Sequence, residues 1–112
     1  MNETKTTTCN WPGKSGKSYT HYVYPIGSKF AEKSGNYVFC KKNAAGKWTP
    51  QYNGQAKNLN ERLGNHEKEA CAIARGATHI HAHLNAIKED RLAEERDLIQ
   101  NFNPPCNEQL VA

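Results

Sequence analysis

No stretch of this chain approaches the roughly 18 consecutive apolar residues of a membrane-spanning helix, so no membrane partner is expected. The N-terminus also lacks the apolar core of an export signal. No C-x-x-C pair occurs among the four cysteines, Cys9, Cys40, Cys71 and Cys106, which lie about 30 residues apart. Thiolate zinc sites bring their ligands in close pairs, so a site of that type is not expected. Without an export signal a disulfide framework is not expected either, and the thiols read as reduced and mostly buried in a cytoplasmic protein. Internal repeats and coiled-coil heptads are absent.

What is present fits one soluble domain. The chain has 112 residues, 23% of them charged, and a mean hydropathy of −0.89. A chain of this size buries one core and not two. Its net charge of +4 and pI near 8.9 would tolerate a polyanion partner without proving one. Lys41, Lys42, Lys47, Lys57, Arg62 and Lys68 concentrate in the middle third, as a phosphate-facing strip or as solvated surface. Gly13-Lys14-Ser15-Gly16-Lys17-Ser18 suggests a phosphate loop but fails the pattern. Trp11 stands where the loop needs its first glycine, and no apolar strand precedes it.

Residues 1–20 are polar and read as a flexible arm anchored by Trp11, with the folded domain spanning 21–112. His21–Ile26 reads as an edge or lead-in strand broken by Pro25. Asn36–Lys41 and Lys47–Tyr52 are rich in β-branched and aromatic residues, and they flank a turn at Asn43–Gly46. This predicts an antiparallel hairpin. Asn58 or Asn60 can cap a helix reaching His66, and a second helix over 67–75 stops at Gly76. Thr78–Leu84 alternates with period two, as a third strand does. Asn85 is the expected cap of a last helix over 86–102, which Pro104-Pro105 ends.

On that last helix, Leu92, Leu98, Ile99 and Phe102 fall within about 60° of Glu95, while Glu94 lies about 100° off. A carboxylate on a buried stripe is costly unless it is paired or binds a metal. Two readings stay open: a metal ligand, or an i, i+4 pair with Arg91. Arg62 and His66 share the i, i+4 face of an earlier helix beside Leu59 and Leu63. They could rim a cleft, or Arg62 could simply pack its stem on leucine. Tyr37 and Tyr52 sit on the two hairpin strands, either as packed aromatics or as site hydroxyls. His79, His81 and His83 project from one strand face. The outer two are about 13 Å apart, too far for one ion, so a metal would need two of them and a group from elsewhere.

Taken in order, four pieces carry a family resemblance: Gly35-Asn36-Tyr37-Val38-Phe39; Tyr52-Asn53-Gly54 with Arg62 and His66; Glu95-Arg96-Asp97-Leu98-Ile99; and Pro104-Pro105-Cys106-Asn107. Their order and spacing over about 35–107 resemble the GIY-YIG nucleases. The resemblance implies an α/β (α+β) sandwich with a central three-stranded antiparallel sheet flanked by helices. It also implies a divalent-metal-dependent DNA endonuclease. In that reading Tyr37, Tyr52, Arg62, His66 and Glu95 are catalytic, and Lys57 and Asn107 bind substrate. Glu95 holds one Mg²⁺ or Mn²⁺ at the scissile phosphate, and Arg62 neutralises its charge. Tyr37 or Tyr52 handles the attacking water, its pKa lowered by Arg62 or Lys57. His66 is the alternative proton acceptor. The products carry a 5′-phosphate and a 3′-hydroxyl.

The chain departs from the pattern at Asn36 and Asn53, where the resemblance implies aliphatic residues. Asn53 should face the layer opposite Tyr52, where it either costs stability or finds a local hydrogen bond. With only an N-terminal arm beside the nuclease module, sequence specificity is expected to be modest, supplied by a partner protein, or gained by homodimerisation. The alternatives are a catalytically inactive nucleic-acid-binding module of the same fold and a restriction-type enzyme with a short site.

Overall fold

The turn at Asn43–Gly46 is built by its own side chains. Asn43 Oδ1 accepts from the Ala45 and Lys47 N–H groups at 2.9 Å each, and Gly46 takes φ 83°, a conformation glycine adopts without strain. It joins two strands of a computed structural model that describes residues 7–107. In chain order the elements are β1 (Thr8–Pro12), β2 (Ser18–Pro25), β3 (Gly35–Lys42), β4 (Trp48–Ala56), α1 (Leu59–Gly64), α2 (Glu69–Ala74), β5 (His79–Leu84) and α3 (Lys88–Phe102). Among the described residues no helix is long and apolar enough to cross a membrane.

The strands form one antiparallel sheet in the order β1-β2-β5-β3-β4. The expected three-stranded sheet is its β5-β3-β4 part, and the hairpin β1-β2 extends it to five strands. This corrects the reading of 1–20 as an arm. Residues 1–6 lie outside the described residues, but Thr8–Pro12 and Ser18–Pro25 are strands, and β2 is interior rather than at an edge. The polar outward residues hid the alternation. Thr20 Oγ1 donates to Asn10 Oδ1 at 2.6 Å on one face, while Trp11 and His21 are buried on the other.

The sheet has a helix layer on each face. On one face Tyr37, Phe39, Ile80 and Ala82 pack with Leu59 and Leu63 of α1 and Ala72 of α2. On the other, Val38 and Cys40 pack with Trp11 and with Leu98 of α3. The buried line of α3 runs through Arg91, Glu94 and Leu98. The helical wheel centred it on Glu95, which is only half-buried. The shift follows from polar groups on the sheet that take Arg91 and Glu94 inward. Asn85 does not cap α3, which starts behind Ile87.

The cysteine expectation is also corrected. Cys71 of α2 and Cys106, 35 residues later, form a disulfide, whereas Cys9 and Cys40 are free. Their spacing carried no pairing signal. They meet because the segment after α3 runs back along β4, where the Cys106 N–H donates to the Gln51 carbonyl at 2.8 Å.

Candidate active site

Gly54 makes room for Tyr37. The two residues pair across β3 and β4, and a Cβ on Gly54 would lie 2.5 Å from the Tyr37 hydroxyl. Tyr37 is therefore buried flat beneath β4 and stacks on Tyr52 with ring centroids 6.3 Å apart. Tyr52 pairs with Phe39 in the register and is half-buried. The His66 ring stands edge-on to both tyrosines, at 5.5 and 5.0 Å.

Arg62 and His66 do not share a helix as expected, because α1 stops at Gly64. Both still reach the tyrosines. His66 Nδ1 accepts the Lys68 backbone N–H at 2.9 Å. The ring proton of neutral His66 is therefore on Nε2, which donates to the Tyr37 hydroxyl at 2.7 Å. Burial, then the Arg62 charge, hold His66 down to about 4.

Burial also dominates the tyrosines. It pushes Tyr37 well above the ordinary phenol range, followed by the charge of Tyr52, and it raises Tyr52, followed by Glu95. Arg62 pulls both down as anticipated, but burial outweighs it. Both hydroxyls are protonated at rest. Arg62 itself forks onto Glu67 at 2.6 and 2.9 Å, a partner that sequence reasoning missed. Glu67, held down to about 2 chiefly by that hydrogen bond, is mostly solvent-exposed.

Glu95 lies on α3, which packs on the opposite face of the sheet, and its charge is felt at both tyrosines. The i, i+4 pairing with Arg91 does not form. Arg91 is buried and donates to Gln55 Oε1 at 2.9 Å and to the Asn85 and Ala86 carbonyls at 3.0 and 3.1 Å. The Glu95 carboxylate makes no hydrogen bond or ion pair among the described residues. Burial raises its pKa, with Arg96 opposing. An unpaired, half-buried carboxylate whose charge is felt at two phenols fits a hard divalent cation.

Lys57 is exposed on a cavity of about 500 Å³ that Arg62, Asn58 and Asn65 also line. Asn107 is not directed at that cavity. Its side chain clamps the edge of β4, accepting the Asn53 N–H at 2.6 Å and donating to the Asn53 carbonyl at 2.9 Å. The two asparagine departures differ. Asn36 is satisfied, donating to the Arg91 carbonyl at 3.0 Å and accepting from Asn85 at 3.1 Å. Among the described residues, neither side-chain polar atom of buried Asn53 has a hydrogen-bond partner.

The histidine row does share one face. His81 Nδ1 accepts from the Trp11 indole at 2.9 Å, and His79 Nδ1 lies 2.8 Å from the Thr78 hydroxyl. His83 turns to Glu94, beside His21 of β2. Burial, and after it His83, hold His21 down to about 3. Sequence reasoning singled out neither His21 nor Glu94 as site residues, since it placed the strand at His21–Ile26 on an edge, whereas β2 lies inside the sheet beside β5.

No protein-family model and no curated protein matches the chain. Among solved structures it resembles the GIY-YIG N-terminal endonuclease domain of UvrC from Thermotoga maritima, seen in point mutants bound to the catalytic divalent cation. One of them aligns with a TM-score of 0.57 at 23% identity, covering 70% of this chain and 87% of that one. Another aligns with a TM-score of 0.55 at 25% identity over the same shares.

Proposed function

The chain has the GIY-YIG endonuclease fold, and from that premise we propose that it is a divalent-metal-dependent endonuclease cutting DNA to 5′-phosphate and 3′-hydroxyl ends. The observation that carries the reading is the unpaired, half-buried Glu95 carboxylate, whose charge is felt at both Tyr37 and Tyr52, as is that of Arg62. Glu95 would hold a Mg²⁺ or Mn²⁺ ion, which supplies Lewis acidity at the scissile phosphate and stabilises the leaving 3′ oxygen.

The chain's own groups do the rest. Arg62 exchanges Glu67 for a phosphate oxygen, an exchange of like for like at an exposed pair that is worth little in water. His66 cannot take a proton at Nε2, which already carries one, and its Nδ1 is occupied by Lys68. Proton transfer from water therefore falls to a tyrosine acting as its phenolate, after its own hydroxyl proton has passed to solvent. Tyr37 is favoured, because His66 and Arg62 both stabilise its anion. Lys57 contacts the DNA backbone along the neighbouring cavity. Recognition of a particular sequence would come from a partner protein or a second copy.

The test is incubation with supercoiled plasmid in Mg²⁺, Mn²⁺ or EDTA, beside Arg62→Ala and Glu95→Ala. Metal-dependent nicking lost in both variants, with 3′-hydroxyl ends, is expected. No nicking by the wild type, with salt-sensitive DNA binding retained, would instead favour an inactive binding module of the same fold.

A further inference from the structure

Among the described residues, one ring nitrogen of His21 has no hydrogen-bond partner. The residue is fully buried in β2, and its Nδ1 lies 3.1 Å from the Tyr19 carbonyl. A carbonyl only accepts, so Nδ1 carries the proton and Nε2 presents a bare lone pair. Among the described residues Nε2 has no hydrogen-bond partner. It faces Glu94 Oε2 at 3.4 Å instead. Glu94 is itself only 3% exposed and already holds His83 Nε2 at 2.8 and 3.0 Å. A bare imidazole nitrogen aimed at a buried carboxylate is unfavourable unless something positive lies between them.

We propose that His21, His83 and Glu94 form a zinc site separate from the carboxylate at Glu95. One donor atom from each residue falls within 4.8 Å of the other two. Tetrahedral zinc with bonds of 2.0–2.1 Å spaces its ligand atoms about 3.3 Å apart. The Glu94 oxygen lies 2.8 Å from the His83 nitrogen and 3.4 Å from that of His21, so small movements complete the site. On binding, the His83 proton moves from Nε2 to Nδ1. The Tyr19 carbonyl on His21 Nδ1 is the kind of outer contact that fixes a metal-binding imidazole.

Two imidazoles and a carboxylate leave the fourth position of zinc for water. A cavity of about 450 Å³, lined by Lys17, Tyr19, Asn85 and Asp90 besides His83 and Glu94, opens there. The nitrogen donors favour zinc over magnesium, which prefers oxygen ligands in octahedral array. The ligands come from β2, β5 and α3, so the ion would tie the added hairpin to the helix that carries Glu95.

The experiment uses untagged protein stripped with a chelator, then equilibrated with Zn²⁺. Zinc is counted by mass spectrometry and its coordination read by X-ray absorption. A single zinc per chain is expected, ligated by two imidazoles and oxygen without sulfur. His83→Ala and Glu94→Gln should weaken binding by more than the roughly 10–100-fold cost of losing an outer-shell partner, while Glu95→Gln retains it. Substoichiometric zinc, sulfur in the coordination shell, or zinc lost in Glu95→Gln but kept in Glu94→Gln would overturn the site. Should a variant fail to fold, the wild-type absorption spectrum decides alone. Plasmid nicking is read separately, so failure of the nuclease reading leaves this result standing.

Discussion

The Lys68 backbone N–H donates to His66 Nδ1 at 2.9 Å, and that contact makes His66 the donor and Tyr37 the acceptor in the hydrogen bond between them. The Tyr37 hydroxyl proton is therefore not engaged by His66 and can leave before Tyr37 accepts one from water. Tyr37→Phe should lower the nicking rate by roughly 10²–10⁴-fold, as loss of a positioned proton-transfer group does. His66→Ala should cost less, and His66→Gln, which restores an N–H donor, should recover part of that loss. Equal activity of the alanine and glutamine variants would remove the positioning role.

His66 also links stability to pH. Its pKa is about 4 when folded, against 6.5 for an unperturbed histidine. The unfolded chain therefore binds the extra proton between those values, so stability rises with pH across that window and is lost as the solution is acidified. The loss should reach roughly 2–3 kcal/mol near pH 4. Arg62 and Lys68 reinforce the low value, and Glu67 opposes it. Denaturant melts of wild type and His66→Gln at pH 7 and 4.5 check this, with the variant losing less. Parallel losses would refute it.

Glu67 competes with phosphate for the Arg62 fork. Glu67→Gln should tighten DNA binding several-fold at low salt and steepen its salt dependence, because one more cation is free to displace counterions. A titration showing weaker binding would mean that Glu67 holds Arg62 in its working position.

The two asparagines should respond in opposite ways. Asn53→Ile removes two unpartnered buried polar atoms and should raise the melting temperature. Asn36→Val strands the Asn85 amide and removes a second donor from the Arg91 carbonyl, and should cost about 1–3 kcal/mol. Thermal melts of the pair give both signs at once.

Reduction of Cys71–Cys106 reopens a loop spanning 35 residues. Chain entropy assigns such a closure about 4 kcal/mol. Melting with and without reductant should show a drop of many degrees, absent in Cys71→Ser. An unchanged melting temperature would mean the clamp of Asn107 on β4 suffices alone.

Much of this arrangement could be read from the residues. The β3–β4 hairpin, α1, α2, β5 and α3 follow from alternation, caps and breakers. Tyr37, Tyr52, Arg62 and His66 were identified as a group by motif order. What escaped was decided by distant partners. The hairpin β1-β2 owes its order to pairing with β5, which its polar sequence does not announce. Glu94 lies inward because His21 and His83 receive it, and Arg91 because Asn85, Ala86 and Gln55 do. No wheel drawn on α3 alone contains those groups.

The added hairpin also changes where this sheet could recruit another chain. β5, which would end a three-stranded sheet, is enclosed by β2 and β3, and the far edge at β4 is blunted by Asn107 and the Cys106 N–H. Among the described residues no strand pairs with the outer side of β1, a strand of five residues closed by Pro12, whose carbonyl accepts from the Asn101 amide of α3 at 2.7 Å. Self-association through strand addition is thereby confined to one short, proline-ended edge on the side of the molecule away from the tyrosines.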